Sequence, residues 1–140
     1  MRLTRKAALL GAAFALTSVF TLTACGDDEP GLVDLSDTYE VIAVAFPAAG
    51  ATPVFGPATG NGELTSTEYS VTIDLVGSSE GTYVALDDGT FTQNGTTTPL
   101  GGAPIDTQCT GTWDVDNDGI LTIDTTCLGQ RTVTQLAPLD

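Results

Sequence analysis

The chain has 140 residues, with 18 acidic residues against four basic ones, no histidine and a formal net charge of −14. Arg2, Arg5 and Lys6 stand within the first six positions, so residues 25–140 hold all the acids and a single cation, Arg131. Clustered Lys and Arg are what phosphate binding requires, so nucleic acid is excluded as a partner. The absence of His and Lys from residues 25–140 removes most general bases, the Schiff-base amine and the commonest metal ligand, which argues against an enzyme and for no cofactor.

The first element in chain order is a leader. Its basic start is followed by an uncharged apolar run from Ala7 to about Phe20, too short to span a membrane comfortably and without stop-transfer charges after it. The small residues of Leu22-Thr23-Ala24-Cys25 resemble the lipobox cut by lipoprotein signal peptidase. That resemblance implies a signal peptide over residues 1–24. Cys25 is then the first mature residue and carries diacylglycerol and usually a third acyl chain, such as palmitate. It places the protein in the bacterial cell envelope, lipid-anchored to a membrane and facing the periplasm or the exterior. An ordinary secretory leader with an incidental cysteine is the alternative. Residues 25–37, with Asp27, Asp28 and Glu29, read as an acidic tether kept extended by like charges. An anionic bilayer repels so acidic a domain, so the lipid must supply the membrane attachment.

From Thr38 onward there is no helical periodicity. Short β-branched and aromatic runs alternate with Gly, Pro, Asn and Asp clusters, the pattern of an all-β sandwich or barrel over residues 38–140. The first strand is Thr38 to Phe46, ended by Pro47. A short edge strand is expected at Thr52 to Phe55, because Pro53 cannot donate to a ladder. The next strand lies within Glu63 to Val76, with Tyr69, Val71, Ile73 and Leu75 on one face. Gly77 to Gly81 reads as a turn into Thr82 to Leu86. Asp88-Gly89 then turns the chain into Thr90 to Gln93, and a long loop is expected from Asn94 to Pro104.

Ile105 to Asp116 and Ile120 to Thr126 read as one long hairpin around Asn117-Asp118-Gly119, a type I turn closed by a bulge. In that register Trp113 faces Ile123, Val115 faces Leu121 and Cys109 faces Cys127. One face is apolar, and Thr110, Thr112, Asp114, Thr122, Asp124 and Thr126 form a polar one. The cysteines occupy a non-hydrogen-bonded pair, where Cα atoms lie closest, so a disulfide is expected in an oxidising compartment. Leu128-Gly129 turns the chain into a last strand, Arg131 to Leu136.

Three constellations invite a chemical reading. Asp114, Asp116 and Asp118 with Gly119 match the first half of a calcium loop, but Thr125 stands where a bidentate Glu belongs and strands replace helices. A plain acidic turn, with no metal, is therefore expected. Gly77-Ser78-Ser79-Glu80-Gly81 fits a nucleophile elbow in spelling alone, since that motif needs a histidine and a strand-turn-helix setting. Arg131 pairs with a surface carboxylate or, if inside a barrel, holds a ligand; Trp113 and Tyr69 are the aromatic candidates beside it.

Residues 35–39 (Leu-Ser-Asp-Thr-Tyr), Gly81-Thr82-Tyr83, Asp88-Gly89-Thr90-Phe91 and Gly111-Thr112-Trp113 give the mature chain a resemblance to small bacterial lipocalin-like lipoproteins. The lipocalin Gly-x-Trp belongs on the first strand, where Asp37 and Tyr39 stand here, while Gly111-Thr112-Trp113 falls late. The resemblance implies a small antiparallel up-and-down β-barrel, with a β-sandwich as the alternative fold. It also implies a membrane-tethered monomer binding a small apolar ligand; the alternative is a structural or protein-interaction lipoprotein with a filled core. Inward positions are expected to include Tyr69, Val71, Ile73, Leu75, Gly111, Trp113, Val115, Leu121, Ile123 and Thr125.

Overall fold

The computed structural model describes residues 30–139, in which every regular element is a β-strand; Cys25 and the leader lie outside the described residues. β1 (Asp37–Ala45) is flanked on one side by β2 (Gly56–Pro57) and β3 (Gly60–Leu64), which pair with successive parts of the same edge and act as one interrupted strand. β4 (Glu68–Ile73), β5 (Gly77–Ala85), β6 (Thr90–Pro99), β7 (Ile105–Val115), β8 (Leu121–Cys127) and β9 (Gln130–Pro138) follow as a meander of antiparallel neighbours. β9 then pairs with β1 and closes the sheet. The result is a closed eight-stranded antiparallel up-and-down barrel, and closure removes the open edges that a sandwich would leave.

The register fixes which side chains enter the barrel. From β4 to β8 the inward residues are odd-numbered and pair with one another; on β3 the even residues point inward, through Leu64↔Tyr69 and Gly62↔Val71, and on β9 the even residues do, through Ile123↔Thr134 and Leu121↔Leu136. A bulge at Ile42 shifts the register on β1, so Tyr39 and Val41 face in before it and Val44 after it. The expected β7–β8 hairpin is present in the expected register, with Cys109↔Cys127, Trp113↔Ile123 and Val115↔Leu121. Asp116 N–H donates to Ile120 O at 3.1 Å, and Gly119 takes the positive φ of 83° that the bulge needs. Cys109 and Cys127 form a disulfide with Cα atoms 4.4 Å apart, the close spacing of a non-hydrogen-bonded pair.

One end of the barrel is filled. Tyr39, Tyr83, Phe91, Leu121 and Leu136 are buried there, and the rings of Tyr83 and Phe91 stack with centroids 5.5 Å apart. The segment before β1 closes this end. Val33 and Leu35 are buried, Val33 N–H donates to Ala85 O, and Leu32 bridges Leu86. Two tyrosines hold Leu35 by its backbone: its carbonyl accepts from Tyr39 Oη at 2.7 Å, and its N–H donates to Tyr83 Oη at 3.2 Å. The expected acidic tether over 25–37 is thus not a free spacer in its last part, because alternating Val33 and Leu35 can bury themselves against the barrel end.

The middle of the chain departs from expectation. The strand placed over residues 63–76 is two strands, with a turn at 65–67 where Thr65 Oγ1 accepts from Glu68 N–H. Leu75 is not inward; it sits on the β4–β5 turn, 86% exposed, at φ 68°. Val115, at the hairpin's end, is 45% exposed. Gly77 to Gly81 is strand and not turn, the expected loop from Asn94 belongs largely to β6, and the residues 52–55 form no strand. β5 and β6 approach closely at Gly81↔Gly95: a Cβ on Gly81 would lie 2.1 Å from Asn94 O, and its φ is 155°. Strand-breaking residues here permit close backbone approach within continuously paired strands.

Candidate functional site

The other end of the barrel is open. Above Tyr69, Phe91 and Ile123 lies a cavity of about 340 Å³, reached between the β4–β5, β6–β7 and β8–β9 connections and the end of β1. Such a volume falls in the range of small-molecule sites. Leu64, Val71 and Ile73 give one wall; Phe46, Val76, Ile105 and Leu128 stand at the mouth. These four rim residues are exposed, and Leu75 and Leu100, 86% and 64% exposed, sit on adjoining turn tips. A larger but shallower hollow of about 510 Å³ lies on the outer wall by Glu63, Glu68 and Glu80; it is polar and open to water.

The cavity exists because the inward residues change character along the strands. On β8 the inward set runs from Leu121 and Ile123 to Thr125, and on β9 from Leu136 to Thr134 and Thr132. On β5, β6 and β7 the inward positions near the mouth are Gly77, Ser79, Gly81, Gly95, Thr97 and Thr107. Small side chains cannot fill an eight-stranded barrel, so space remains. Because Gly81 and Gly95 leave the row beside Tyr69 empty, its ring reaches across to Ser79.

A row of hydroxyls results. Tyr69 Oη lies 3.1 Å from Ser79 Oγ, which lies 3.2 Å from Thr97 Oγ1, which lies 3.1 Å from Thr107 Oγ1. All four line the cavity, and Tyr69 and Thr107 are buried. Among the described residues no charged side chain lines it.

Of the residues singled out in the sequence, Tyr69 lines this cavity and the other two aromatic and cationic candidates do not. Trp113 packs against the core nearer the filled end, with its indole Nε1 donating to Leu86 O at 2.8 Å. Arg131 faces outward. Its Nε and Nη2 donate to the two carboxylate oxygens of Asp124 at 3.0 and 2.8 Å, and its Nη1 donates to the carbonyls of Ala48 and Ala51. The paired carboxylate keeps its pKa above the ordinary arginine value. Arg131 thereby fastens the 46–55 loop beside Ala45 and Val133, which face outward yet are buried.

Asp116 turns its carboxylate onto its own turn, where Oδ1 accepts from the N–H groups of Asp118 and Ile120. Among the described residues no group of three or more Asp, Glu, Cys or His is arranged to hold a metal ion. Ser79, the serine of the elbow-like motif, lies within strand β5. Ser79, Thr97 and Thr107 were not among the sequence candidates. The available signal was the recurrence of Gly, Ser and Thr at alternate positions 77, 79, 81 and 95, 97, flanked by polar residues on the other face.

No protein-family model matches the chain, and neither a curated protein nor a solved structure does.

Proposed function

We propose that this chain is a membrane-anchored lipoprotein of the bacterial envelope whose barrel binds a small, largely apolar ligand. The observation that carries the binding half of this reading is the cavity of about 340 Å³, open at one end and walled mainly by apolar side chains. The anchoring half rests on the leader and on Leu22-Thr23-Ala24-Cys25. Tyr69 is the sequence candidate retained as a ligand contact; Arg131 and Trp113 are not, given where their polar atoms are directed. The module is proposed as a binder rather than an enzyme, because residues 25–140 contain no His or Lys. Native mass spectrometry of the full chain purified from its own host tests this. A co-purified small molecule, displaced when Tyr69 or Thr97 is enlarged to Trp, is the expected result; an empty barrel that also refuses added apolar compounds overturns it.

The exposed leucines at the tips, Leu75, Leu100 and Leu128, favour one competing reading, an interaction lipoprotein that docks its open end on another protein. In that case the tip variants Leu75→Ser and Leu128→Ser abolish association while the cavity variants leave it intact.

A further inference from the structure

We infer that the cavity selects an uncharged amphiphile: an apolar body of roughly ten heavy atoms with one neutral hydrogen-bonding group seated on the Tyr69–Ser79–Thr97–Thr107 row. The inference rests on the binding-module reading and names its ligand class.

The size follows from the cavity volume of about 340 Å³, which corresponds to about eleven waters at ~30 Å³ each. The charge state follows from what is missing on the wall. Among the described residues no Asp or Glu lines the cavity, in a chain with eighteen of them; Arg131 is directed outward to Asp124 and two carbonyls. A carboxylate or phosphate entering the barrel would lose its water without gaining a cation, and the surrounding acidic surface would oppose its approach. An ammonium group would be drawn toward the acidic exterior but would meet no carboxylate inside.

The polar group follows from counting protons. Four hydroxyls supply four protons, and the three bonds that join them use three. Whichever way the row is oriented, one of its O–H groups is left to donate, and among the described residues none of the four hydroxyls makes a bond to a further acceptor. Lone pairs remain along the row as well. A ligand ketone or ester can accept the spare proton, and a ligand hydroxyl can both accept it and donate back. A pure hydrocarbon leaves it unpaired, at the cost that attaches to a buried polar group without a partner.

The test compares probes of equal length on the full chain at pH 8: 1-decanol, decanoate, decylammonium and n-decane, each followed by NMR of the Ser79, Thr97 and Thr107 signals. Decanol is expected to bind more tightly than either ion by a factor on the order of ten. Thr97→Val, which keeps the side-chain shape and cuts the row, should bring decanol down to the level of n-decane; Ser79→Ala gives the same readout through the neighbouring hydroxyl. Decanoate or decylammonium binding as tightly as decanol overturns the inference and leaves the binding module standing. Decanol insensitive to both variants also overturns it. Failure of all four probes to perturb the cavity signals overturns the binding module itself, and the inference with it.

Discussion

Two leucines have left-handed backbone conformations, and both stand at the open end. Leu128 has φ 52° and is followed by Gly129 at φ 81°, between the paired residues Cys127 and Gln130. Two positive φ values in a two-residue hairpin loop define a type I′ turn, whose first position favours Asn. Leucine there costs about 1–2 kcal/mol of backbone strain, and at 71% exposure it recovers little by burial. Leu128→Asn should therefore stabilise the domain by about 0.5–1 kcal/mol, seen as a rise of a few degrees in Tm. The same substitution should weaken retention of an apolar ligand, because Leu128 lines the mouth. The opposite balance holds at the filled end. Burial, helped by nearby Asp37, raises the Tyr39 pKa from the ordinary 10.0 to about 12, and burial also raises that of Tyr83. A raised folded-state pKa means that the unfolded chain releases the proton first. Stability is then intact below pH 10 and falls as the pH climbs toward 12. Denaturant unfolding across that window should show the decline, and Tyr39→Phe should flatten it while lowering stability at neutral pH through the lost bond to Leu35.

The β7–β8 hairpin and the β5–β6 pair mark the two extremes of what the sequence discloses. In β7–β8 the large apolar residues keep to alternate positions, the turn carries Gly at the required place, and the cysteines agree with both; register and disulfide could be read directly. The closing disulfide spans a separation of 18 residues, for which chain entropy gives about 3 kcal/mol. Reduction should lower Tm by several degrees, and a Cys109→Ala, Cys127→Ala pair should reproduce the loss without reductant. In β5 and β6 the inward face near the mouth is Gly, Ser and Thr, so there is no apolar alternation to find, and glycines read as turns. The same fact explains both the misreading and the site: these strands wall a hole rather than a packed core, and a hole leaves no hydrophobic pattern in the sequence. Val33 and Leu35 escaped notice for a different reason, being two apolar residues inside an acidic stretch whose partners lie some fifty residues on.

At the scale of the molecule, the described chain begins at the filled end, where Asp87 N–H donates to Gly31 O, opposite the open one. Lipidation predicts that Cys25→Ser leaves an uncleaved precursor in membranes; cleavage after Ala24 that persists in that variant would refute it.

The closed sheet also has a kinetic side. Every strand pairing but one joins close neighbours in the chain. The exception is β1 with β9, which brings Glu40 opposite Ala137. Loop-closure entropy makes such a contact the late step, formed after the hairpins have assembled. Arg131 stands on that join, tying β9 and Asp124 of β8 to the loop that follows β1. Its bonds should be absent from the folding transition state, so Arg131→Ala is expected to raise the unfolding rate and leave the refolding rate nearly unchanged in a chevron analysis. An unzipped barrel bares two strand edges at once, β1 and β9, each able to pair with another molecule. Arg131, the one cation in residues 25–140, would then act less as a stabiliser of the folded state than as a latch on its lifetime, and loss of the latch should show first as aggregation on prolonged storage, before any large change in melting.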